Sequence, residues 1–142
     1  MDLRLEAIVL PVSDVDRAKA FYETAGFRTD VDLAGEGFRV VQLTPPGSGC
    51  SILIGHGMPQ SEPGSFGGLH LVVDDLIEAR AALIARGVDV GEPFHFSESG
   101  TGPSPGFDPE RRDYMTYAPF EDPDGNGWLL QDVPNERNLA AG

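Results

Sequence analysis

The sequence predicts an α+β fold assembled from two βαβββ modules, and three observations carry that expectation. The stretch from Val12 to Tyr22 returns from Val73 to Leu83 at a constant offset of 61. That offset pairs Val12 with Val73, Asp14 with Asp75, Ala18 with Ala79 and Gly26 with Gly87. Each copy follows a short apolar run, and three further strand-like runs come after it. Turns rich in Gly and Pro separate those runs, most clearly Asp122-Pro123-Asp124-Gly125-Asn126. An internal repeat constrains architecture before local propensity is weighed. In a chain of 142 residues, a repeat present only twice gives two halves of one domain.

The elements follow in order. Leu3 to Val12 is short and rich in Leu, Val and Ile, which reads as a strand. Ser13 offers a hydroxyl N-cap, with Asp14 and Asp16 in the first helical turn, where the dipole favours carboxylates. Val15, Ala18, Phe21 and Tyr22 recur at helical spacing, and Gly26 stops the helix. Strands are expected over 27–33, 38–44 and 51–54. In the second copy the strand is 68–73, the buried helical stripe is Leu76, Ala79, Leu83 and Ile84, and Gly87 is the stop. Strands are then expected over 88–90, 114–120 and 127–131.

These readings give one domain over 1–142. Module 1 spans 3–55, a linker 56–66 and module 2 67–133, with a tail over 134–142. Between the helices and the last strands the offset grows from 61 to 76, which brings Leu53 onto Leu129. Most of the surplus falls in 92–113. A loop of that length is either a functional lid or disordered.

Ten basic against 23 acidic residues leave a net charge of −13, which repels phosphate backbones and anionic membranes. No nucleic-acid or membrane partner is therefore expected. Cys50 is the sole cysteine, so there is no intrachain disulfide; it reads as a small buried hydrophobe. No apolar run approaches the ~20 residues of a membrane span, and the N-terminus lacks the pattern of a signal peptide. A cytoplasmic location is the expectation.

Leu10-Pro11-Val12-Ser13-Asp14 leading to Ala20-Phe21-Tyr22-Glu23 and Gly26-Phe27 resembles the vicinal-oxygen-chelate superfamily. Leu71-Val72-Val73-Asp74-Asp75 and the turn from Asp122 to Asn126 carry the same likeness in the second half. That superfamily includes glyoxalase I, bleomycin-resistance proteins and extradiol dioxygenases. The resemblance implies two curled half-barrels enclosing a cavity, usually in a homodimer. It specifies the fold much more closely than the chemistry.

Chelating members hold their metal on the first and last strands of each half. The matching positions here are Ala7, Leu53, Gly68 and Leu129. None offers a lone pair, and a divalent ion needs several N or O donors. No metal and no other cofactor are expected. Shifting two residues along each strand keeps the same face and gives Val9, Gly55, His70 and Gln131. His70 and Gln131 are polar, and both lie in the second half. Either they are satisfied core residues or they hydrogen-bond a ligand in a pocket walled by Val9, Leu53 and Leu129.

Tyr117 and His95 join them as candidate ligand contacts, though Tyr114, Tyr117 and Phe120 on one strand cannot all face inward. His95 with Glu98 offers an acid–base pair from the lid, against the simpler reading of two exposed side chains. Trp128, opposite in parity to Leu129 and Gln131, is expected under the helix. Arg39, Arg111 and Arg112 are either surface charges or anion contacts, and His56 is expected in solvent. Gly102-Pro103-Ser104-Pro105-Gly106 matches a nucleophile elbow by letter alone, without the strand and helix that motif requires.

The resulting expectation is a bleomycin-resistance-like protein that binds a small hydrophobic or aromatic molecule without metal. The alternative is an enzyme of the superfamily, a lyase, isomerase or dioxygenase. It would use a non-standard metal site or acid–base chemistry at His70.

Overall fold

The computed structural model describes residues 1–96 and 102–135. The described residues form two compact units, one of residues 1–67 with the turn 122–126, the other of 68–96, 102–121 and 127–135. The α+β expectation holds: two sheets, each with one helix.

The first unit contains β1 (Ala7–Val9), α1 (Val15–Thr24), β2 (Arg28–Gly35), β3 (Phe38–Thr44) and β4 (Ser51–His56). Its sheet order is β1-β4-β3-β2, with β1 parallel to β4 and the other pairs antiparallel. Val15, Ala18 and Tyr22 of α1 are buried on the same side as Val41, Leu43, Ile52 and Ile54. Alternation then puts Val40, Gln42, Ser51 and Leu53 on the opposite, open face.

The α1 cap differs from expectation. Asp14, not Ser13, is the N-cap and accepts from Arg17 N at 3.0 Å. Ser13 is engaged elsewhere, its hydroxyl and backbone N–H both donating to the Asp124 carboxylate. Gly26 does follow the helix, with φ 106°, the left-handed value that a C′ residue needs. The first strand is shorter than expected, because residues 1–6 are exposed and only Ala7–Val9 pair. The strand expected over 51–54 runs on through Gly55 to His56, the latter placed in the linker by sequence, to complete β4. Cys50 is half-buried rather than buried.

The turn 122–126 belongs to this first unit, although its sequence position lies within the second module. Tyr22, with no exposed surface, donates its hydroxyl to Asp122 Oδ2 at 2.8 Å. Asn126 Nδ2 donates to Pro11 O at 2.8 Å.

The second unit contains β5 (Leu69–Val73), α2 (Leu76–Ala85), β6 (Phe94–Phe96), β7 (Pro103–Pro105), β8 (Thr116–Glu121) and β9 (Gly127–Asp132). Its order is β5-β9-β8-β6-β7, with β5 parallel to β9. Asp75 caps α2 from the position equivalent to Asp14, accepting from Ile77 N at 3.0 Å. Leu76, Ala118, Phe120, Trp128 and Leu130 form the core, and the Trp128 ring stacks on Phe120, as its parity requires. Ile84, expected in the buried stripe, is 45% exposed.

Residues 88–90 are not a strand. Arg80 takes the carbonyls of Val90 and Gly91, so acceptors that would feed a ladder are bound to a side chain. The missing strand comes instead from the segment read as a lid: Phe94–Phe96 pairs with β8, and Pro103–Pro105 extends the edge. Residues 97–101, including Glu98, and 136–142 of the tail lie outside the described residues.

Candidate functional site

The ladder of the second unit brings four sequence-nominated residues onto one face. His70 pairs with Leu129 across β5 and β9, and Gln131 pairs with Tyr117 across β9 and β8. All four sit opposite in parity to the buried Leu130 and Ala118, so they share the open face. Phe94 pairs with Tyr117 and extends that face onto β6.

The rings there make a cluster. His70 meets Tyr117 edge-on with centroids 5.9 Å apart. Phe94 stacks on Tyr117 at 5.6 Å, and Phe96 meets the same ring edge-on, also at 5.6 Å. Such pairs each contribute about 0.5–1.5 kcal/mol beyond burial. Sequence reasoning overlooked Phe94 and Phe96 as site residues. Their signal was period-2 spacing around His95, hidden by reading the segment as a loop.

Polar groups on this face are oriented by partners that can act in only one sense. His70 Nδ1 lies 2.6 Å from Gly68 O. A carbonyl only accepts, so in the neutral ring Nδ1 carries the proton and Nε2 the lone pair. Gln131 Nε2 donates to Tyr114 O at 3.4 Å and to the Tyr117 hydroxyl at 3.1 Å. The amide oxygen of Gln131 is left as an acceptor, and the Tyr117 hydroxyl keeps its own proton to donate. Two acceptors and one donor therefore sit among the aromatic rings.

The remaining nominees lie elsewhere. His95 pairs with Thr116, whose side chain is buried, which puts His95 on the opposite face from Phe94 and Tyr117. Its Nδ1 is bonded to Gly106 O at 2.8 Å. His95 therefore does not join His70, and Glu98 lies outside the described residues. Val9 and Leu53 pair with each other on the open face of the first unit's sheet. Gln42 pairs with Leu53 there and is a polar residue that sequence reasoning missed. Attention to first and last strands passed over β3.

The residues do not fit a metal. Ala7, Leu53, Gly68 and Leu129 bring no donor to their two faces, and His70 has one ring nitrogen occupied by a backbone carbonyl. Among the described residues no three His, Cys, Asp or Glu side chains converge. The first-half counterpart of Gln131 is Gly55, where an added Cβ would collide with the Arg39 carbonyl oxygen. Sterics thus exclude any side chain at that position.

The three nominated arginines are committed to carboxylates. Arg39 bridges Asp32 and Asp16. Its guanidinium, followed by Lys19, holds the Asp32 carboxyl well below the usual range. Arg111 reaches the buried Asp132 at 2.8 Å, and Arg112 holds Asp108. None presents the free guanidinium expected of an anion contact. A separate groove of about 450 Å³ runs along α2 between Ile77, Ala81, Ile84 and Phe107. Its one charged lining residue, Arg80, is bound to Gly91 O, so the hydrogen-bonding equipment lies on the sheet.

With this geometry in view, the comparisons identify the class. The family described as the Glyoxalase/Bleomycin resistance protein/Dioxygenase superfamily matches residues 4–130. The chain belongs to that superfamily. It is similar to TnmS3, described as an antibiotic binding protein from Streptomyces sp. CB03234, at 33% identity and a TM-score of 0.71; the match covers 93% of this chain and 97% of that one. A glyoxalase/bleomycin resistance protein from the same Streptomyces strain is 34% identical with a TM-score of 0.68, over 91% of this chain and all of that one, 100%. A superfamily member from Sphaerobacter thermophilus DSM 20745 is 27% identical with a TM-score of 0.68, covering 92% and 98% of the two chains. Among curated proteins none gives a significant match. No helix of the described residues is long and apolar enough to cross a membrane.

Proposed function

We propose that this protein binds a small aromatic molecule on the open face of the second unit's sheet and does so without a metal. The observation that carries the reading is the ring cluster of His70, Phe94, Phe96 and Tyr117, with the Gln131 amide held at its edge. Apolar and aromatic walls with a few oriented polar groups are the general composition of small-molecule sites. Leu129 supplies further apolar surface beside His70. The likeness to TnmS3, described as an antibiotic binding protein, supports sequestration rather than turnover. A homodimer in the cytoplasm belongs to the same reading.

The test is titration of the full chain with 2-naphthol and related bicyclic aromatics, followed by tyrosine and tryptophan fluorescence. Binding that saturates, survives exhaustive chelation and yields no product on long incubation is the expected result. Product formation would favour the superfamily alternative, an enzyme with His70 as base. Binding that disappears with the chelator would overturn the metal-free reading.

A further inference from the structure

Asn126-Gly127 is the sole Asn-Gly step in the chain, and it closes the turn that begins at Asp122. Asn-Gly is the dipeptide most prone to lose its side-chain amide without an enzyme, because glycine, lacking Cβ, leaves its backbone nitrogen unshielded. In that reaction Gly127 N attacks Asn126 Cγ, and the proton it sheds leaves with Nδ2 as ammonia. The new C–N bond closes a succinimide, which water then opens to aspartate or isoaspartate. No reagent other than water is needed, so the surroundings of Asn126 set the rate.

The closed turn restrains the reaction. Asn126 has no exposed surface, and both ends of its amide are held. Nδ2 donates to Pro11 O and to Asp122 Oδ2, each at 2.8 Å, while Oδ1 accepts from Phe66 N at 3.1 Å. The attack makes Cγ tetrahedral and expels Nδ2, and each of these bonds opposes it. Asp122 is itself fixed, by the Tyr22 hydroxyl at 2.8 Å and by the backbone N–H groups of Asp124 and Asn126 at 2.9 Å. The paired ladder of β8 and β9 ends at Glu121 and Gly127. Release of the turn therefore costs these bonds and those between Ser13 and Asp124, and leaves the ladder intact.

We propose that Asn126 is a self-modification site, gated by local opening of this turn, and that its deamidation is a one-way latch. In the product an oxygen takes the place of Nδ2. That oxygen faces Pro11 O and the Asp122 carboxylate, acceptor against acceptor and charge against charge, at a buried position. Isoaspartate also adds a methylene to the backbone of the turn. A molecule modified while open cannot reclose, so the reaction limits the working life of the protein.

The test is a time course of the full chain in mildly alkaline buffer, with peptide mapping to place amide-to-acid conversion at Asn126. The native wild type should convert at least about tenfold more slowly than the same chain in urea. Tyr22→Phe frees one of the bonds on Asp122 and should speed native conversion about 5- to 30-fold. Ser13→Ala, a milder release at Asp124, should act in the same direction. Asp75→Ala removes the α2 cap in the other unit and should leave the rate within about twofold. The converted fraction, separated on anion exchange by its extra negative charge, should unfold at a lower urea midpoint than its parent. A native rate equal to that in urea, or no acceleration in either Tyr22→Phe or Ser13→Ala, would overturn the gate. Equal acceleration by Asp75→Ala would overturn it too, putting global unfolding in place of the turn's opening. A converted fraction with the parent's midpoint would overturn the latch.

Discussion

Gln131 donates its amide proton to the Tyr117 hydroxyl at 3.1 Å, across paired strands whose neighbouring residues are buried. Because the amide nitrogen also faces Tyr114 O, the tyrosine acts as acceptor in this pair and retains its own proton. His70→Ala or Gln131→Leu is therefore expected to weaken 2-naphthol binding about 3- to 10-fold, one hydrogen bond's worth. His70 is exposed and Gln131 only half-buried, so the melting temperature should fall by no more than about 2–6 °C, the worth of one ring contact or one hydrogen bond. Calorimetric titration with parallel thermal melts reads both. A large loss of stability with binding intact would recast the two residues as structural.

Tyr22 and Asp122 form a buried pair within the first unit, 2.8 Å apart. Tyr22→Phe removes the hydroxyl and leaves Asp122 Oδ2 with only Asn126 Nδ2. A cost of about 1–2 kcal/mol is expected in urea denaturation, within the range for stranding a buried acceptor. A smaller effect than about 0.5 kcal/mol would mean that Asn126 alone satisfies the carboxylate.

The helix cap can be tested by comparing two adjacent residues. Asp14→Ala should cost about 1 kcal/mol, the usual worth of an N-cap, while Asp14→Ser should recover most of it. Ser13→Ala should act instead by freeing Asp124, so its effect should vanish in an Asp124→Ala background. Double-mutant cycles measure that coupling.

Asp108 ties stability to acid pH. The Arg112 guanidinium and then its backbone N–H hold this buried carboxyl well below the ordinary carboxylate range. Its contribution is complete above the unfolded-state value near about 4 and is lost as pH falls toward the folded-state value. Urea midpoints should drop from about pH 4 to pH 2 more steeply in the wild type than in Asp108→Asn. Equal slopes would remove Asp108 from the account of acid lability.

Much of this was legible in the chain. The repeat placed both helices, and the alignment of Asp14 with Asp75 already pointed to the correct cap, since Ser13 aligns with Asp74 instead. Parity along β9 placed Trp128 in the core and put Gln131 and Leu129 on the same face. The strand that follows α2 in the second unit was misread because Val88 and Val90 are apolar and buried, as strand residues are. Burial follows from local pattern. Whether a carbonyl joins a ladder depends on a competitor such as Arg80, 10 and 11 residues away from the carbonyls it takes.

The candidate site divides the same way. Sequence alone determined the superfamily, the loss of donors at Ala7, Leu53, Gly68 and Leu129, and the polar survivors His70 and Gln131. These depend on residue identity and period-2 alternation, both local properties. Only the tertiary structure decided that Phe94 and Phe96 join Tyr117, that His95 turns away, and that Asn126 is pinned between Pro11 and Phe66. Strand pairing and side-chain hydrogen bonds bring together residues far apart in sequence, which no local pattern records.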